Sequence, residues 1–509
     1  MKIGILEIIA WQTTTIKEYI NHSMFFKQGA SLTPQAISVW CRQMGHQVFY
    51  HTYYGLGDPK SKLPNDLDLI FICSHTQMAP LAYALSILYR REGTRTVIGG
   101  PHAKGFPQDC LRYFDLVVLE CDRALIVDII HDQFDPESII SSQKPYKDVP
   151  TIEERLPEIR IASFFRGRPS PLSIIPILAS IGCPYSCNFC VDSKTPYQPL
   201  STDRLIADLQ YAAQHLPGTS LLFLDPNFAI RFDETLAAFE HVPPEQRNPY
   251  FVESSLSTLR PERLRRLRDT NCVAIAPGIE SWGEYSNKAG VGKAVNQSKL
   301  NQVVEHFQVL KAYVPNLKAN FILGLDHDVG DEPFELTREF ILKVPFVWPT
   351  LNAPLPYGGT PLYDRLLQEG RVLKTMPFTF YRSPSLAIIM KNYDPILYLQ
   401  KMIELHELAG SVKMAIHRFR STETRFNLKK LAYHGGLAKF LDFPARTKFL
   451  KGILHRLQTD SQFSAFHTGE TDVVPDFYAS QYVRQLGKYV ELLPLEKSTP
   501  VHVSSISIA

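Results

Sequence analysis

The sequence lacks a long apolar run and carries little net charge. No stretch reaches the roughly 18 apolar residues that a membrane-spanning helix needs, and the longest candidates, such as residues 173–181, have the length of a strand. The start, MKIGILEIIA, has one lysine and no small-residue cleavage site, which predicts a first strand and no signal peptide. Lysine and arginine number 54 against 51 acidic residues, a formal charge of +3, which argues against a strong field for nucleic acid. We therefore expect a cytoplasmic protein.

Cysteine is also scarce, with eight residues in 509, and this length excludes a small disulfide-stapled scaffold. Five cysteines lie singly in apolar segments and are expected to be small core residues, namely Cys41, Cys73, Cys110, Cys121 and Cys272. The other three form the pattern C-x3-C-x2-C in IGCPYSCNFC, as Cys183, Cys187 and Cys190. Chance placement gives roughly 0.002 such matches, and a reducing compartment favours thiolate ligation over disulfides. The pattern therefore indicates a metal centre.

Two regions of the chain alternate strands with helices. In residues 1–135 the strand-like segments are KIGILEII, HQVFYHTYY, LDLIFICSH, RTVIGG and DLVVLE. In residues 171–370 they are SIIPILAS, SLLFLDPNF, YFVESSL, VAIAPGIES, LKANFILGL and FVWPTLNAP. The first set predicts a parallel α/β domain of flavodoxin or Rossmann type, and the second predicts a partial (βα)6 TIM-type barrel with its active site at the carboxyl ends of the strands.

The remaining segments have neither pattern. Residues 136–170 contain several prolines and many polar groups without a sustained period, which predicts a linker. Residues 371–509 predict a mostly helical C-terminal region. Within it, segment 413–456 has 11 lysines and arginines against 2 acidic residues. Two interpretations stay open for this segment: a solvated helical face, and a surface for an anionic substrate or for lipid headgroups, that is, a peripheral membrane contact.

Three cysteines within eight residues suit a 4Fe-4S cluster better than a structural zinc site. A structural zinc site takes four protein ligands, and no second C-x2-C or C-x2-H pair lies nearby. A 4Fe-4S cluster held by three thiolates leaves one iron with an open position for a small molecule. A zinc site and a purely electron-transferring cluster remain the alternatives.

With Phe189 before the last cysteine, the pattern C-x3-C-x-aromatic-C after a first barrel strand resembles the signature of radical S-adenosylmethionine (SAM) enzymes. The resemblance implies that the cysteines hold a 4Fe-4S cluster whose open iron is chelated by SAM. It also implies reductive cleavage of SAM to a 5'-deoxyadenosyl radical, with electrons from a low-potential donor of flavodoxin or ferredoxin type.

The same resemblance implies SAM contacts at the ends of later strands, in FLDPNF, ESS, GIES and NFILGLDHD. The residues so implied are Phe189 beside the cluster, Asp225 at the SAM amino group, Ser255 with Glu253 at the methionine part or the substrate, Glu280 at the ribose, and Ile322 with Gly324 at the adenine. His327 stands where many members have an acidic residue, between Asp326 and Asp328. No general acid or base can be named from the sequence.

The first domain resembles the cobalamin-binding domain of cobalamin-dependent radical SAM enzymes, through DLIFICSHTQ, VIGGPHA and DLVVLE. The cobalamin contacts implied are Ser74, Thr76, Gly99, Gly100, Pro101, His102 and Glu120. The motif D-x-H-x-x-G, which supplies a cobalt-ligating histidine in methionine synthase, is absent, and none of His22, His51, His75 and His102 stands in that context. The resemblance therefore implies a cobalt without a lower histidine ligand.

Together these resemblances imply a radical SAM methyltransferase that acts on an unactivated carbon of a small metabolite, lipid or natural product. Cobalamin-assisted oxidation or cyclisation, and radical SAM chemistry without cobalamin, are alternatives. RNA modification through the basic segment is a further one, although no RNA-binding module is recognisable and nucleic acid is not expected as a partner. A non-catalytic cluster protein would bind iron and fail to cleave SAM.

Overall fold

The computed structural model describes residues 1–142, 147–170, 172–259, 261–284, 291–420 and 436–503. Six parallel strands form a first sheet in the order β2-β1-β3-β4-β5-β6. These strands are β1 (Lys2–Ile8), β2 (Gln47–Tyr53), β3 (Leu69–Ser74), β4 (Arg95–Gly99), β5 (Leu116–Val118) and β6 (Ser138–Ile140).

A second parallel sheet forms the partial barrel, in the order β7-β10-β11-β12-β13-β14. Its strands are β7 (Ile174–Ile177), β10 (Ser220–Phe223), β11 (Tyr250–Ser254), β12 (Cys272–Glu280), β13 (Asn316–Ile322) and β14 (Trp348–Asn352). Between β7 and β10 the chain forms a short antiparallel pair, β8 (Ser180–Ile181) with β9 (Gln198–Pro199). All eleven segments predicted as strands contain one, and the predicted fold class is confirmed.

Helices follow the strands and fill the C-terminal region. They are α1 (Ile16–Met24), α2 (Leu32–Gln43), α3 (Ala79–Arg91), α4 (Pro101–Gly105), α5 (Pro107–Leu111), α6 (Arg123–Ile130), α7 (Leu156–Ala162), α8 (Thr202–His215), α9 (Phe232–Glu240), α10 (Pro261–Asp269), α11 (Asn296–Leu310), α12 (Glu332–Lys343), α13 (Pro361–Gln368), α14 (Pro395–Gly410), α15 (Val412–Arg420), α16 (Gly436–Thr459), α17 (Ser461–Thr468) and α18 (Asp476–Leu486). In the described ranges, none of them is both long and apolar enough to cross a bilayer.

Local sequence explains why α8 forms where it does. The Ser201 side chain caps the helix by accepting a hydrogen bond from the Arg204 backbone N–H. Leu205, Leu209 and Ala212 recur at helical spacing and are buried, so one apolar face packs against the barrel sheet. This matches the pattern expected from the sequence.

The stretch 136–170 differs from the predicted linker. Ser138–Ile140 extends the first sheet by pairing with β5, and Leu156–Ala162 is a helix. Arg155 is fully buried there and donates hydrogen bonds to Gln35 Oε1 (2.8 Å) in α2 and to the Pro176 carbonyl (3.2 Å) in β7. This stretch, which we call the connector, is therefore part of the packing between the two sheets.

A second buried polar group of the connector ties it to the first domain. Glu158 accepts hydrogen bonds from Ser38 Oγ (2.6 Å) and Arg42 Nε (3.1 Å), both in α2. On the barrel side, the Ile152 N–H donates to Asp208 Oδ1 (2.6 Å) in α8. Because these partners lie far away in the sequence, no local pattern reveals them.

Glu7 in β1 is buried and makes stability depend on pH. Its carboxyl group accepts hydrogen bonds from the Ser31 N–H (2.7 Å) and from Thr52 Oγ1 (3.3 Å), while burial raises its pKa from 4.5 to about 7. The folded chain thus holds a proton that the unfolded chain releases above about pH 4.5. The resulting stabilisation, about 3 kcal/mol at most, is complete below that pH and is lost as the pH rises through about 7.

We expect Glu7→Gln to remove this dependence, since glutamine keeps the size of the side chain and cannot ionise. Thermal unfolding of both proteins between pH 4.5 and 8 measures it, and the variant should gain stability relative to the wild type as the pH rises. A constant difference between the two proteins across this range would contradict the assignment.

Candidate functional site

The three cysteines lie on one loop between β8 and β9, and all three are half-buried. Gly182 begins the loop with φ of +68°, and a Cβ atom there would lie 2.6 Å from the Thr195 carbonyl oxygen. Only glycine adopts this conformation without strain and leaves room for the returning chain. The loop is therefore closed at its base, with the cysteines in its outer part.

The three loop cysteines are the candidate ligands of the predicted metal centre. In the described part of the chain, no three His, Cys, Asp or Glu side chains converge as the ligands of one metal ion do. In a cubane cluster each thiolate binds a different iron, so the sulfur atoms need not meet at one point. Burial raises the pKa of Cys41 and Cys272 to about 12, which keeps these core thiols protonated. The loop cysteines fit a 4Fe-4S cluster, and this ligand set stays a proposal.

A chain of polar groups links the cysteine loop to the neighbouring strand ends. Tyr185 OH lies 3.3 Å from Ser257 Oγ, which donates to Ser255 Oγ at 3.0 Å. Asn227 Nδ2, after β10, donates to the same Ser255 oxygen at 3.2 Å. Ser255 is thus fixed directly after β11, but it is completely buried. Its predicted contact with SAM or substrate stays a prediction.

Asp225 follows β10 and is held against the start of the cysteine loop. One carboxylate oxygen accepts from the Ala179 N–H (3.0 Å) and the other from Ser180 Oγ (2.6 Å). Burial raises the pKa of Asp225 to about 6. The carboxylate that was predicted to bind the SAM amino group therefore also positions the chain that leads into the cysteines.

Glu280 ends β12 with φ of +65°, an uncommon conformation for a residue with a side chain. The ladder between β12 and β13 is irregular at this point, which turns the side chain out of the regular strand alternation. Lys299 in α11 interacts electrostatically with Glu280 and donates a hydrogen bond to the Gly283 carbonyl (3.1 Å). Backbone strain of this kind occurs at functional sites, which supports the predicted ribose contact.

The loop after β13 is organised by Asp328, a residue whose role the sequence did not reveal. One oxygen of its carboxylate accepts from the Gly324 and Leu325 N–H groups (2.9 and 3.0 Å), and the other from Ser281 Oγ (3.2 Å). Ser281 also lies 2.6 Å from His327 Nε2. Asp328 thus joins the ends of β12 and β13, where Glu280 and the predicted adenine contacts lie.

Ile322 is the last residue of β13 and Gly324 follows two residues later, and the adenine contacts implied for them stay predictions. Gly324 has φ of +89°, and a Cβ atom there would lie 2.7 Å from the Tyr398 ring. A glycine is therefore required here to leave room for the Tyr398 ring, whether or not the backbone also approaches adenine. Ile322 is half-buried and shares a face of β13 with Lys318. Burial lowers the pKa of the Lys318 ammonium group, and the negative charge of Glu253 offsets only part of this shift. Phe189 is half-buried against the core.

A cavity of about 350 Å³ lies between the carboxyl edge of the first sheet and the cysteine loop. On one side it is lined by Gly99, Gly100, Pro101, Glu120 and Cys121, and on the other by Ser180, Gly182, Asp192 and Thr195. Gly100 has φ of +93°, and a Cβ atom there would lie 2.8 Å from Cys73 Sγ. Cys73 and Cys121 also line this cavity and are half-buried, so they are not the plain core residues that the sequence predicts.

The structure does not bring all the predicted cobalamin contacts to this cavity. Ser74 and Thr76 are buried beneath its edge. His102 is completely buried, lies within hydrogen-bond distance of Tyr83 OH and packs against Phe378. Burial lowers the pKa of His102 to about 3. His102 does not line the cavity in this structure, and its predicted cobalamin contact stays a prediction.

Lys104 connects the two sides of the cavity. Its ammonium group donates hydrogen bonds to Glu120, which follows β5, and to Thr195 on the cysteine loop, and it lies 3.9 Å from Asp192. Its side chain is 24% exposed, so these charge-assisted bonds are only partly screened. Lys104 therefore holds the cysteine loop against the first sheet.

We expect Lys104→Met to loosen the cysteine loop, at a cost of about 1–2 kcal/mol. Amide hydrogen exchange measures this, and residues 191–200 should exchange roughly tenfold faster than in the wild type. Lys194→Met is the matched control, since Lys194 is exposed on the same loop. Equal exchange in both variants would show that Lys104 does not hold the loop.

The comparisons with known proteins agree with this geometry. Residues 177–341 match the radical SAM superfamily. Over 391 residues the chain is 23% identical to bacteriochlorophyllide d C-8(2)-methyltransferase of Chlorobaculum tepidum, covering 73% of this chain and 83% of that protein. Over 291 residues it is 26% identical to hopanoid C-2 methylase of Rhodopseudomonas palustris, covering 54% and 53%.

A solved structure shares the whole architecture. The cobalamin-dependent radical SAM enzyme OxsB, with aqua-cobalamin and SAM bound, aligns with a TM-score of 0.57 at 13% identity, covering 97% of this chain and 79% of that one. Residues 177–341 are thus similar to the radical SAM superfamily, and the relatives named here are methyltransferases or methylases. This chain shares its fold with that enzyme.

Proposed function

We propose that this chain is a cobalamin-dependent radical SAM methyltransferase acting on an unactivated carbon. One observation carries the proposal: a single cavity is bounded by the carboxyl edge of a flavodoxin-like sheet and by the cysteine loop of the barrel. Ligands of such sheets bind outside the carboxyl ends of the strands, and those of βα barrels bind at the same end of their strands. Two cofactors bound at these edges would face each other.

The residues around the cavity have separate tasks in this proposal. Cys183, Cys187 and Cys190 hold the cluster, while Asp225 and Lys104 fix the loop that carries them. When bound, the cluster with SAM supplies a 5'-deoxyadenosyl radical, and the corrin supplies the methyl group. The protein positions the reactants and excludes water, for which a mostly apolar cavity wall is suited.

We further propose a lipid-like substrate, because the relatives are named for bacteriochlorophyllide d and for a hopanoid. The basic segment 413–456 gives weaker support for a lipid-like substrate than its composition suggests. Its residues 421–435 lie outside the described ranges, and Arg418 is buried, with its guanidinium 4.6 Å from the centre of the Trp348 ring. Lys413, Lys448 and Lys451 are exposed. Lys451 forms an ion pair with Glu407, so Lys413 and Lys448 are the described lysines that we propose for contact with an anionic bilayer, which flotation with phosphatidylglycerol vesicles would measure.

The test starts from anaerobically reconstituted protein with aquacobalamin, a low-potential reductant and SAM that carries a deuterated methyl group. The proposal expects retained corrin, 5'-deoxyadenosine and a deuterated methyl group on the bound corrin, all found by mass spectrometry. Iron without 5'-deoxyadenosine indicates a non-catalytic cluster protein. SAM cleavage without retained corrin indicates a cobalamin-independent enzyme, and an unlabelled corrin favours oxidation or cyclisation. Each of these three results overturns the proposal.

A further inference from the structure

Lys299 is a buried lysine near the start of α11, where it is the fourth residue. Only 2% of this residue is exposed to solvent. Burial disfavours the charged form of a lysine, and a positive charge is also unfavourable close to a helix N-terminus, where the helix dipole is positive. A lysine therefore destabilises this position for two separate reasons, so its contacts have to explain its presence.

Two hydrogen bonds join the start of α11 to the turn that follows β12. The Lys299 ammonium group donates to the Gly283 carbonyl (3.1 Å), and the Asn296 N–H donates to the Trp282 carbonyl (2.9 Å). The turn begins directly after Glu280, whose φ of +65° departs from a regular strand. Lys299 thus helps to fix the backbone that carries Glu280.

The charge of Lys299 also acts on Glu280 through space. Burial lowers the pKa of Lys299 to about 8, although the charges of Glu280 and Asp328 act in the opposite direction. The ammonium group is therefore mostly protonated at pH 7. Within the described ranges it forms no direct ion pair with either carboxylate, and it donates to the Gly283 carbonyl instead. Lys299 thus attracts the Glu280 carboxylate and leaves its oxygen atoms to other partners.

We propose that Lys299 is a positioning residue for SAM, which holds the Glu280 carboxylate in place for the ribose hydroxyls by its charge and by its bond to the turn. The proposal rests on the radical SAM activity proposed above and on the ribose contact that the family resemblance implies for Glu280. A carboxylate accepts stronger hydrogen bonds from hydroxyl groups than a neutral acid does. Without the positive charge, the buried Glu280 carboxylate is less favourable in its ionised form, and its turn loses an anchor. SAM binding should then weaken through the ribose.

Binding of SAM to anaerobically reconstituted protein tests this role, because SAM is not cleaved when no reductant is present. Isothermal titration calorimetry compares SAM with two analogues that lack the 2′ or the 3′ hydroxyl. We expect the wild type to prefer SAM over at least one analogue by about tenfold or more, as for the loss of a hydrogen bond to a charged group. In Lys299→Met, SAM should bind about tenfold more weakly and most of this preference should disappear. Glu280→Gln should have the same effect, and adding Lys299→Met to it should change little.

Lys293→Met is the control, since Lys293 is exposed just before α11, and its binding should equal that of the wild type. Lys299→Gln is a second variant, which removes the charge and retains a hydrogen-bond donor, and it should also lose the preference. Unchanged binding in the Lys299 variants, or equal weakening of SAM and both analogues, overturns the proposal. A wild type without any preference for a hydroxyl overturns the ribose contact together with it, whereas absence of SAM binding overturns the proposed function as well.

Discussion

Replacing Cys183, Cys187 and Cys190 together by alanine is expected to abolish both iron binding and SAM cleavage. The wild type, reconstituted without oxygen, should hold about four iron atoms per chain and absorb as a 4Fe-4S protein does. The triple variant should hold none, because it lacks the three thiolates that we propose as ligands of the cluster. Iron analysis, the visible spectrum and the yield of 5'-deoxyadenosine measure this.

The matched control replaces cysteines that the structure places in the core. Cys41 and Cys272 are buried, and a Cys41→Ala, Cys272→Ala variant should keep its full iron content. It should lose a little stability from the two small cavities. A triple variant that retains iron and colour would contradict both the ligand set and the proposed function.

The second large effect is expected from Arg155→Met in the connector. This change leaves the Gln35 side chain and the Pro150 and Pro176 carbonyls without their donor, and it removes a positive charge beside the buried Asp208. Removing one partner from a buried charged network costs about 3–5 kcal/mol. Differential scanning fluorimetry should therefore show a lower unfolding temperature, with early exposure of both the first sheet and the barrel.

Arg160→Met is the control for this experiment, since Arg160 is an exposed residue of α7, the helix that follows Arg155. Its unfolding temperature should stay within the scatter of the wild type. Similar unfolding temperatures for the two variants would mean that the connector does not stabilise the packing of the two sheets.

Much of the fold could be predicted because its strands are runs of β-branched and apolar residues. The parallel sheets bury both faces of these strands, which makes the runs continuous and easy to recognise. The connector could not be recognised in this way, because it lacks a continuous apolar run. Its strand has three half-buried residues, and one of its fully buried side chains, Arg155, is charged. Such a residue is explained only by partners distant in the sequence.

The candidate site was predictable where spacing alone carries the chemistry. Three cysteines on a short loop are recognisable without any structure, whereas Asp225 and Glu280 are implied by the family resemblance and stay predictions. Asp328 was not recognised, because its function is to accept backbone hydrogen bonds from Gly324 and Leu325. The role of His102 was implied by its motif, whereas its packing against Phe378, far along the chain, could not be predicted from the sequence.

The connector also limits how this chain can be recombined with its relatives. A chimera that exchanges residues 1–135 would cut Ser138–Ile140 away from the sheet it completes and would separate Arg155 and Glu158 from their partners in α2. A workable graft must carry residues 1–170 as one block and must match the surface around Pro176 and Asp208. The spacing between the two proposed cofactor sites is thus inherited with the connector, and engineering one site alone leaves it unchanged.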